Sequence, residues 1–293
     1  MHHSGFRALH PLPSFIYFTG VMLLSMLLLH PVFLTASALL LVAVGYRLAA
    51  FTSLLRTVGP LLALGVVLFV LNPLFSHRGE HILFYMWEQP ITLEAVCFGL
   101  TIGLSTLSLM LVFLSYSKVM SSDKFLYLFA SIWPKGSLVV VMGMRFVPLL
   151  KDRLRAISHT QQTKGIGITE GPLRKRASDG MKLLQILLTW SLEDALQTAD
   201  SMKARGFGMR TRSTYRTYRM RSKDWRALTM LLLLLVTCLA GRLLAGYGQL
   251  TIYPSMEAWQ LRGWEWCTFA AFITYIGMPL WMEGKDRLWN SWR

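Results

Sequence analysis

The sequence predicts an all-α membrane protein with about six transmembrane helices and a cytoplasmic coupling domain of long amphipathic helices. The 293-residue chain is 54% hydrophobic and only 15% charged, with a mean hydropathy of +0.44. A soluble domain carries roughly 25% charged residues. Several segments also approach the roughly 20 consecutive apolar residues that a helical span needs. The charged residues are concentrated between two groups of apolar segments, and this distribution predicts how the chain divides into domains.

Six apolar segments are the predicted spans. They cover residues 14–29, 32–50, 58–75, 93–116, 227–245 and 266–281. No small-residue cleavage site follows the first segment, so we expect it to remain in the protein as a span.

The distribution of Lys and Arg predicts the orientation of these spans. Short cytoplasmic loops are enriched in both residues. Arg47 and Arg56 flank the turn between spans two and three, Lys118 follows span four, and Lys285 follows span six. The opposite loops carry few cations. We therefore expect a multi-pass protein with both termini in the cytoplasm.

The segment between spans four and five predicts a separate domain. Residues 118–226 hold 21 of the 30 Lys and Arg residues, so we divide the chain into 1–117, 118–226 and 227–293. Apolar periodicity predicts amphipathic helices over 121–132, 138–159 and 181–205. In the last of these, spacings of three and four place one set of apolar residues on a single helix face: Met181, Leu184, Leu188, Leu192, Ala195, Ala199 and Met202.

Two of these helical patterns end in the same short motif. Thr163-Lys164-Gly165 is followed by Ile-Gly, and Ala204-Arg205-Gly206 is followed by Phe-Gly208. A glycine after the last helical residue provides the left-handed cap that ends a helix, and a cation there suits the negative end of the helix dipole. Each end would present one long positive side chain to a carboxylate in a groove of another protein. The motifs alone are equally compatible with two ordinary helix caps.

The wider sequence resembles the transmembrane T component of energy-coupling factor (ECF) transporters, the CbiQ-like family. Residues 191–208 resemble the family's coupling-helix signature. Residues 144–148, Met-Arg-Phe-Val-Pro, resemble its R-F-x-P element, and the segments 72–79, 91–95 and 223–225 match in order. The resemblance covers about residues 31–235, most of the chain.

This resemblance implies the function and the partners. A T component holds a membrane-embedded, substrate-binding S component and docks on two ATPase subunits, which form a homodimer or a heterodimer. It serves vitamin or transition-metal uptake in a bacterial or archaeal inner membrane. By position, the ATPase-docking residues are Thr163, Lys164 and Gly165 in the first motif and Ala204, Arg205 and Gly206 in the second. Arg145, Pro148 and Gly208 take structural or coupling roles.

The first motif departs from the family because Lys164 stands where an arginine is usual. Lysine keeps the charge but lacks the two-pronged hydrogen bonding of a guanidinium. This departure bears on the strength of the dock at this end and not on its existence.

We expect no enzymatic activity and no cofactor or metal bound by this chain. It has no G-x-x-x-x-G-K-[ST] phosphate loop, so ATP and Mg would be handled by the partner ATPases. The three cysteines lie far apart and form no metal-binding pair.

Three alternatives carry other expectations. A conventional ABC importer permease would have its own translocation path lined by polar residues, whereas these spans are nearly free of charge. A membrane-embedded enzyme would need an intramembrane cluster of His, Asp or Glu. The basic segment 210–226 resembles a nucleic-acid patch, but its position directly before a span favours anionic lipid headgroups.

In span four, Gly99 and Gly103 form G-x-x-x-G, which packs either against a neighbouring helix of this chain or against the S component.

Overall fold

The computed structural model describes residues 6, 9–48, 51–76, 79, 81–86, 89–167, 172–208, 218–248, 250 and 263–291. Almost all of them are helical, which confirms the predicted all-α class. The chain divides into two compact units: residues 1–125 with 218–293 form unit 1, and residues 126–217 form unit 2. The domain boundaries drawn from the sequence at 117 and 226 stay a prediction.

Among its described residues, unit 1 contains six long helices and one short hairpin. The helices are α1 (Pro11–Leu27), α2 (Pro31–Leu48), α3 (Phe51–Phe75), α4 (Leu93–Val119), α8 (Ser222–Ala245) and α9 (Glu265–Ser291). The strands β1 (Ile82–Met86) and β2 (Gln89–Thr92) pair antiparallel between α3 and α4. Helix α5 (Ser122–Ile132) crosses the boundary between the units, and unit 2 continues with α6 (Pro134–Gln162) and α7 (Leu173–Ala204).

Three stretches of the described residues are long and apolar enough to cross a membrane: Val58–Phe75, Leu93–Val119 and Ser222–Ala245. The apolar helices at Pro11–Leu27 and Pro31–Arg47 are shorter. These helices agree with a membrane protein. The count of six spans and the position of the termini stay predictions.

Two tyrosines join α1 to α9 at the centre of unit 1. The Tyr17 hydroxyl donates to the carbonyl of Ile276 at 2.9 Å, and the Tyr275 hydroxyl donates to the carbonyl of Ile16 at 2.9 Å. Their rings stack with centroids 5.8 Å apart, and both side chains are buried. A buried phenol hydroxyl needs a hydrogen-bond acceptor, and here each helix supplies a carbonyl for the other's tyrosine. This reciprocal pair fixes how α1 and α9 lie against each other.

The G-x-x-x-G pair of α4 packs against α3. A Cβ atom added at Gly99 would lie 2.8 Å from the carbonyl oxygen of Phe69, and one at Gly103 would lie 2.9 Å from the carbonyl oxygen of Gly65. The two backbones are therefore too close for any side chain at these positions, as small residues in membrane helices permit. Of the two partners that the sequence allows, the structure places a neighbouring helix of this chain here.

His-Pro begins both α1 and α2 in the same way. The Nδ1 atom of His10 accepts a hydrogen bond from the backbone N–H of Leu12 at 3.3 Å, and Nδ1 of His30 accepts from that of Val32 at 3.3 Å. An imidazole nitrogen can accept only when it carries no proton. Burial lowers the pKa of His30, although Glu265 acts in the opposite direction. Burial also lowers the pKa of His10, against the effect of Asp224. Both imidazoles therefore favour the neutral form that caps the helix.

The hairpin is tied to the start of α4 by a buried carboxylate. The Glu94 side chain is fully buried and accepts from the backbone N–H of His81 at 3.2 Å, while Nδ1 of His81 lies 2.8 Å from its Oε1. The backbone N–H of Leu93 donates to the carbonyl of His81 at 2.9 Å. The sequence does not predict this hairpin, because a short strand pair next to long apolar helices has only a weak pattern.

Gly99→Ala and Gly103→Ala should each lower stability by about 1–3 kcal/mol, because the added methyl group meets backbone that must move. Thermal unfolding of the purified protein in detergent measures this. Gly277→Ala is the matched control, since its added Cβ would meet nothing within 4 Å in the middle of α9. It should leave stability unchanged or raise it by up to about 1 kcal/mol, because alanine suits a helix interior better than glycine. An equal loss in all three variants would contradict the close α3–α4 packing.

His30→Asn should reduce the loss of stability at acidic pH. A histidine whose pKa is lower in the folded state than in the unfolded chain stabilises fully above its unfolded value of about 6.5, and this contribution is lost as pH falls. Asparagine also caps helices but does not titrate. The free energy of unfolding should therefore be similar for both proteins at pH 8 and fall less for the variant between about pH 6.5 and 5. Parallel profiles over that range would show that the His30 cap does not titrate.

Candidate docking site at two helix ends

Helices α6 and α7 pack on each other in unit 2. The guanidinium carbon of Arg153 on α6 lies 4.5 Å from the ring centroid of Trp190 on α7, a distance at which a cation is attracted to an aromatic face. Asp179 and Leu183 on α7 are buried, and Leu187, Trp190 and Asp194 continue the same helix face as half-buried residues. The two helices are thus held together away from their C-terminal ends.

Helix α6 ends in a left-handed glycine cap. Gly165 has φ 74°. Its N–H donates to the carbonyl of Gln162 at 3.0 Å, and the N–H of Ile166 donates to the carbonyl of Gln161 at 3.1 Å. This pair of bonds is the Schellman motif, which satisfies the last free carbonyl groups of a helix. Thr163 Oγ1 also donates to the carbonyl of Thr160 at 2.7 Å.

Helix α7 ends in the same cap. Gly206 has φ 77°. Its N–H donates to the carbonyl of Lys203 at 3.0 Å, and the N–H of Phe207 donates to the carbonyl of Met202 at 2.9 Å. Both predicted motifs therefore have the same backbone geometry, with Lys164 and Arg205 each placed directly before the left-handed glycine. The repetition that the sequence suggests is also a structural repetition.

Both cations are exposed. Neither Lys164 nor Arg205 has an acidic partner among the described residues, whereas the nearby Lys203 lies 4.0 Å from Asp200. From the Arg153–Trp190 contact, Lys164 is eleven residues along α6 and Arg205 is fifteen residues along α7. At 1.5 Å per residue these distances are about 17 Å and 22 Å. Each cation thus lies at the end of a long helical segment that extends beyond the Arg153–Trp190 contact.

The two ends differ in two respects. One carries an ammonium group and the other a guanidinium, and only the guanidinium can bind both oxygens of a carboxylate through a planar fork. The second glycine also differs: Gly208 has φ 102°, whereas Gly167 does not have a left-handed φ. The α7 end therefore contains two glycines in conformations that other residues rarely adopt.

The apolar stripe predicted on α7 faces outward. Met181, Leu188 and Leu192 are each more than 60% exposed. At 100° per residue the stripe lies about 140° away from the face that contains Leu183 and Trp190. The packing of α7 on α6 therefore uses the smaller face and leaves the larger apolar stripe uncovered.

Arg145 and Pro148 lie inside α6, and both are exposed. Pro148 has no N–H to donate to the preceding turn, so it weakens the helix ladder at this point. The bracing role that the resemblance implies for Arg145 stays a prediction. Within the described ranges, no group of three His, Cys, Asp or Glu side chains could hold a metal ion.

These observations define an α-helical membrane protein with a separate unit of two long helices, each ending in a matched, exposed cationic cap. The family model described as cobalt transport protein, CbiQ, matches residues 6–216. The chain belongs to this family, which confirms the resemblance found in the sequence.

Curated relatives agree with this assignment. The chain is similar to the energy-coupling factor transporter transmembrane protein EcfT of Lacticaseibacillus paracasei, with 36% identity over 34% of this chain and 40% of the relative. It is 32% identical to EcfT of Bacillus selenitireducens over 38% of this chain and 41% of the relative. The similarity to EcfT of Exiguobacterium sibiricum is lower, at 26% identity, but extends over 62% of this chain and 72% of the relative. The matched segment thus spans about two fifths of the first two relatives.

Gly165→Ala and Gly206→Ala should loosen the two helix ends. A residue with a side chain pays roughly 1–2 kcal/mol in the left-handed region, so the amides of the last turn should exchange their hydrogens about 5- to 30-fold faster. Hydrogen exchange with mass spectrometry on peptides that contain residues 161–166 and 202–207 measures this. Gly167→Ala is the control, because its added Cβ meets nothing within 4 Å and its φ is not left-handed. Unchanged exchange in the first two variants would contradict the glycine caps.

Proposed function

We propose that this chain is the transmembrane coupling (T) subunit of an ECF-type ABC importer. It would transmit the ATP-driven motion of two ATPase subunits to a membrane-embedded S component that binds a vitamin or a transition-metal ion. Membership of the CbiQ family and the similarity to EcfT proteins support the class. The mechanism is argued from the two matched glycine caps on α6 and α7, each with one exposed cation directly before the glycine.

The caps suit a partner that offers the same groove twice. Each cap is thin because a glycine follows the cation, and at Gly165 even an added Cβ atom would meet nothing within 4 Å. Lys164 or Arg205 could enter a narrow groove and meet a carboxylate there, where the loss of water strengthens the pair. A dimer of ATPases presents two equivalent surfaces by symmetry. One cap would bind each ATPase subunit.

Motion would pass along α6 and α7. When the ATPase dimer closes on ATP, the two grooves approach each other, and the two caps would move with them. Because α6 and α7 contact each other well away from their caps, a change in cap separation becomes a change in the angle between the helices. The outward apolar stripe of α7 gives the S component a surface on which that change would act. The S component would then rock in the membrane and release its cargo inside.

The chain itself would contribute no catalysis. ATP and Mg would be bound by the ATPase subunits, and the S component would determine the transported substrate. In this proposal the T subunit supplies two long, stiff helices and one charged contact at the end of each.

Arg205→Glu should reduce the ATPase that copurifies with the full-length protein from native membranes by at least about tenfold. Removing one partner of a desolvated interface charge pair costs about 2–5 kcal/mol, and a reversed charge adds repulsion to this loss. The measurement is affinity purification followed by quantitative mass spectrometry and an ATPase assay of the eluate, at matched protein levels. Lys164→Glu should act in the same direction with a smaller effect, since an ammonium makes a weaker dock.

Lys203→Glu is the matched control. Lys203 is exposed on α7 two residues before Arg205 and has its nearest charge, Asp200, on its own helix. Its reversal changes the net charge equally but keeps Arg205 and the backbone carbonyl that accepts from Gly206, so the ATPase should be retained. An equal loss with Lys203→Glu would indicate a general charge effect. Full retention with Arg205→Glu would refute the docking role.

A further inference from the structure

Four cations lie within eight residues at the start of α8: Arg219, Arg221, Lys223 and Arg226. All four are exposed. We call these residues the α8 collar. The proposed docking on ATPases does not involve these residues, since the caps of α6 and α7 lie in unit 2 and the collar lies in unit 1.

The single acid of this segment is turned inward. Asp224 is buried, and its two carboxylate oxygens accept hydrogen bonds from the backbone N–H groups of His10 at 3.2 Å and Arg221 at 2.9 Å. It lies on the same buried face of α8 as Ala227, Leu228 and Leu231. The Asp224 carboxylate therefore makes its hydrogen bonds inside the protein, and the exposed charged side chains of residues 219–226 are all cations.

The placement of the collar is electrostatically unfavourable for an isolated helix. The N-terminus of a helix carries a partial positive charge, so cations there repel it and anions stabilise it. The collar adds four positive charges at this end of α8. An external anion would relieve this repulsion, and the guanidinium groups are suited to bind two oxygens of one phosphate.

The exposed face of α8 places the collar at the level of lipid headgroups. Trp225, Leu233, Val236 and Leu244 lie on this face and are 55%, 67%, 62% and 88% exposed. From Trp225 to Leu244 the helix rises about 28 Å, close to the roughly 30 Å hydrocarbon thickness of a bilayer. Tryptophan is enriched where hydrocarbon meets headgroups. The cations beside Trp225 therefore stand in the phosphate layer when the apolar face lies in the hydrocarbon.

We propose that the α8 collar is a binding site for the headgroup phosphates of anionic phospholipids. The continuity between the cationic collar and the apolar face of the same helix distinguishes a lipid from a soluble phosphate or a nucleic acid, which would contact only the charged part. Each cation near an anionic bilayer surface strengthens binding about fivefold. The proposal is independent of the transport function, because it concerns lipid contacts of unit 1.

Native mass spectrometry tests the proposal on the full-length protein, purified in detergent and equilibrated with equal amounts of phosphatidylglycerol and phosphatidylcholine. The wild type should retain phosphatidylglycerol in at least tenfold preference. The variant with Arg219→Gln, Arg221→Gln, Lys223→Gln and Arg226→Gln should lose that preference. The control variant removes four exposed cations of unit 2 (Lys135→Gln, Lys151→Gln, Arg174→Gln and Lys175→Gln) and should keep it.

A second variant separates charge from folding. Replacing the three arginines of the collar by lysine retains every positive charge, so the preference for phosphatidylglycerol should persist, and circular dichroism should confirm equal helix content in all proteins. Equal retention of both lipids by the wild type overturns the proposal. So does an equal loss of preference in the unit 2 control, displacement of the lipid by an equal concentration of glycerol 3-phosphate, or displacement by a short oligonucleotide.

Discussion

Two glycines in the left-handed conformation determine where the long helices of unit 2 stop. Because Gly165 and Gly206 each follow a single cation, the Schellman bonds fix the backbone of that cation while its side chain remains free to extend. A helix that frayed at this point would spread the charge over several conformations, and a partner would have to order it at a cost in entropy. The caps thus preorganise two charges at the ends of stiff rods, and the proposed transmission of motion depends on this stiffness.

The two caps share their backbone geometry but differ in the chemistry of the cation. At Arg205 a planar fork can satisfy both oxygens of a carboxylate, so orientation as well as distance is fixed. At Lys164 the ammonium can rotate and still meet one oxygen, which permits small angular errors. In the proposed coupling role, α6 and α7 can function with one attachment that fixes orientation, at Arg205, and one that tolerates small changes of angle, at Lys164. Because the Schellman bonds match at both ends, the proposed docking contacts would differ mainly in strength.

Much of this architecture could be predicted from sequence because it rests on local rules. Gly165 and Gly206 follow amphipathic repeats, which predicts both helix ends, and the apolar periodicity predicts a helix over 121–132, where α5 lies at Ser122–Ile132. The predicted fifth span begins at Ala227, whereas helix α8 already begins at Ser222, where Asp224 accepts from the backbone N–H of Arg221. Contacts between distant segments were not predictable in this way. The bond from Arg242 Nε to the carbonyl of Leu27 at 3.0 Å joins residues 215 positions apart, and no spacing rule indicates it.

The two units also differ in how they are stabilised. Unit 1 has a core of buried aromatic rings, including Tyr17, Phe33, Phe272 and Tyr275. In unit 2, α6 has no buried residue, and α7 buries only Asp179 and Leu183. Helices of this length owe most of their stability in proteins to packing of an apolar face, yet the apolar stripe of α7 is mostly exposed. Since a large exposed apolar surface marks a site of interaction, unit 2 has the character of a component whose packing is completed by other molecules. That property suits a coupling element, because a helix pair without a closed core can change its angle at little cost.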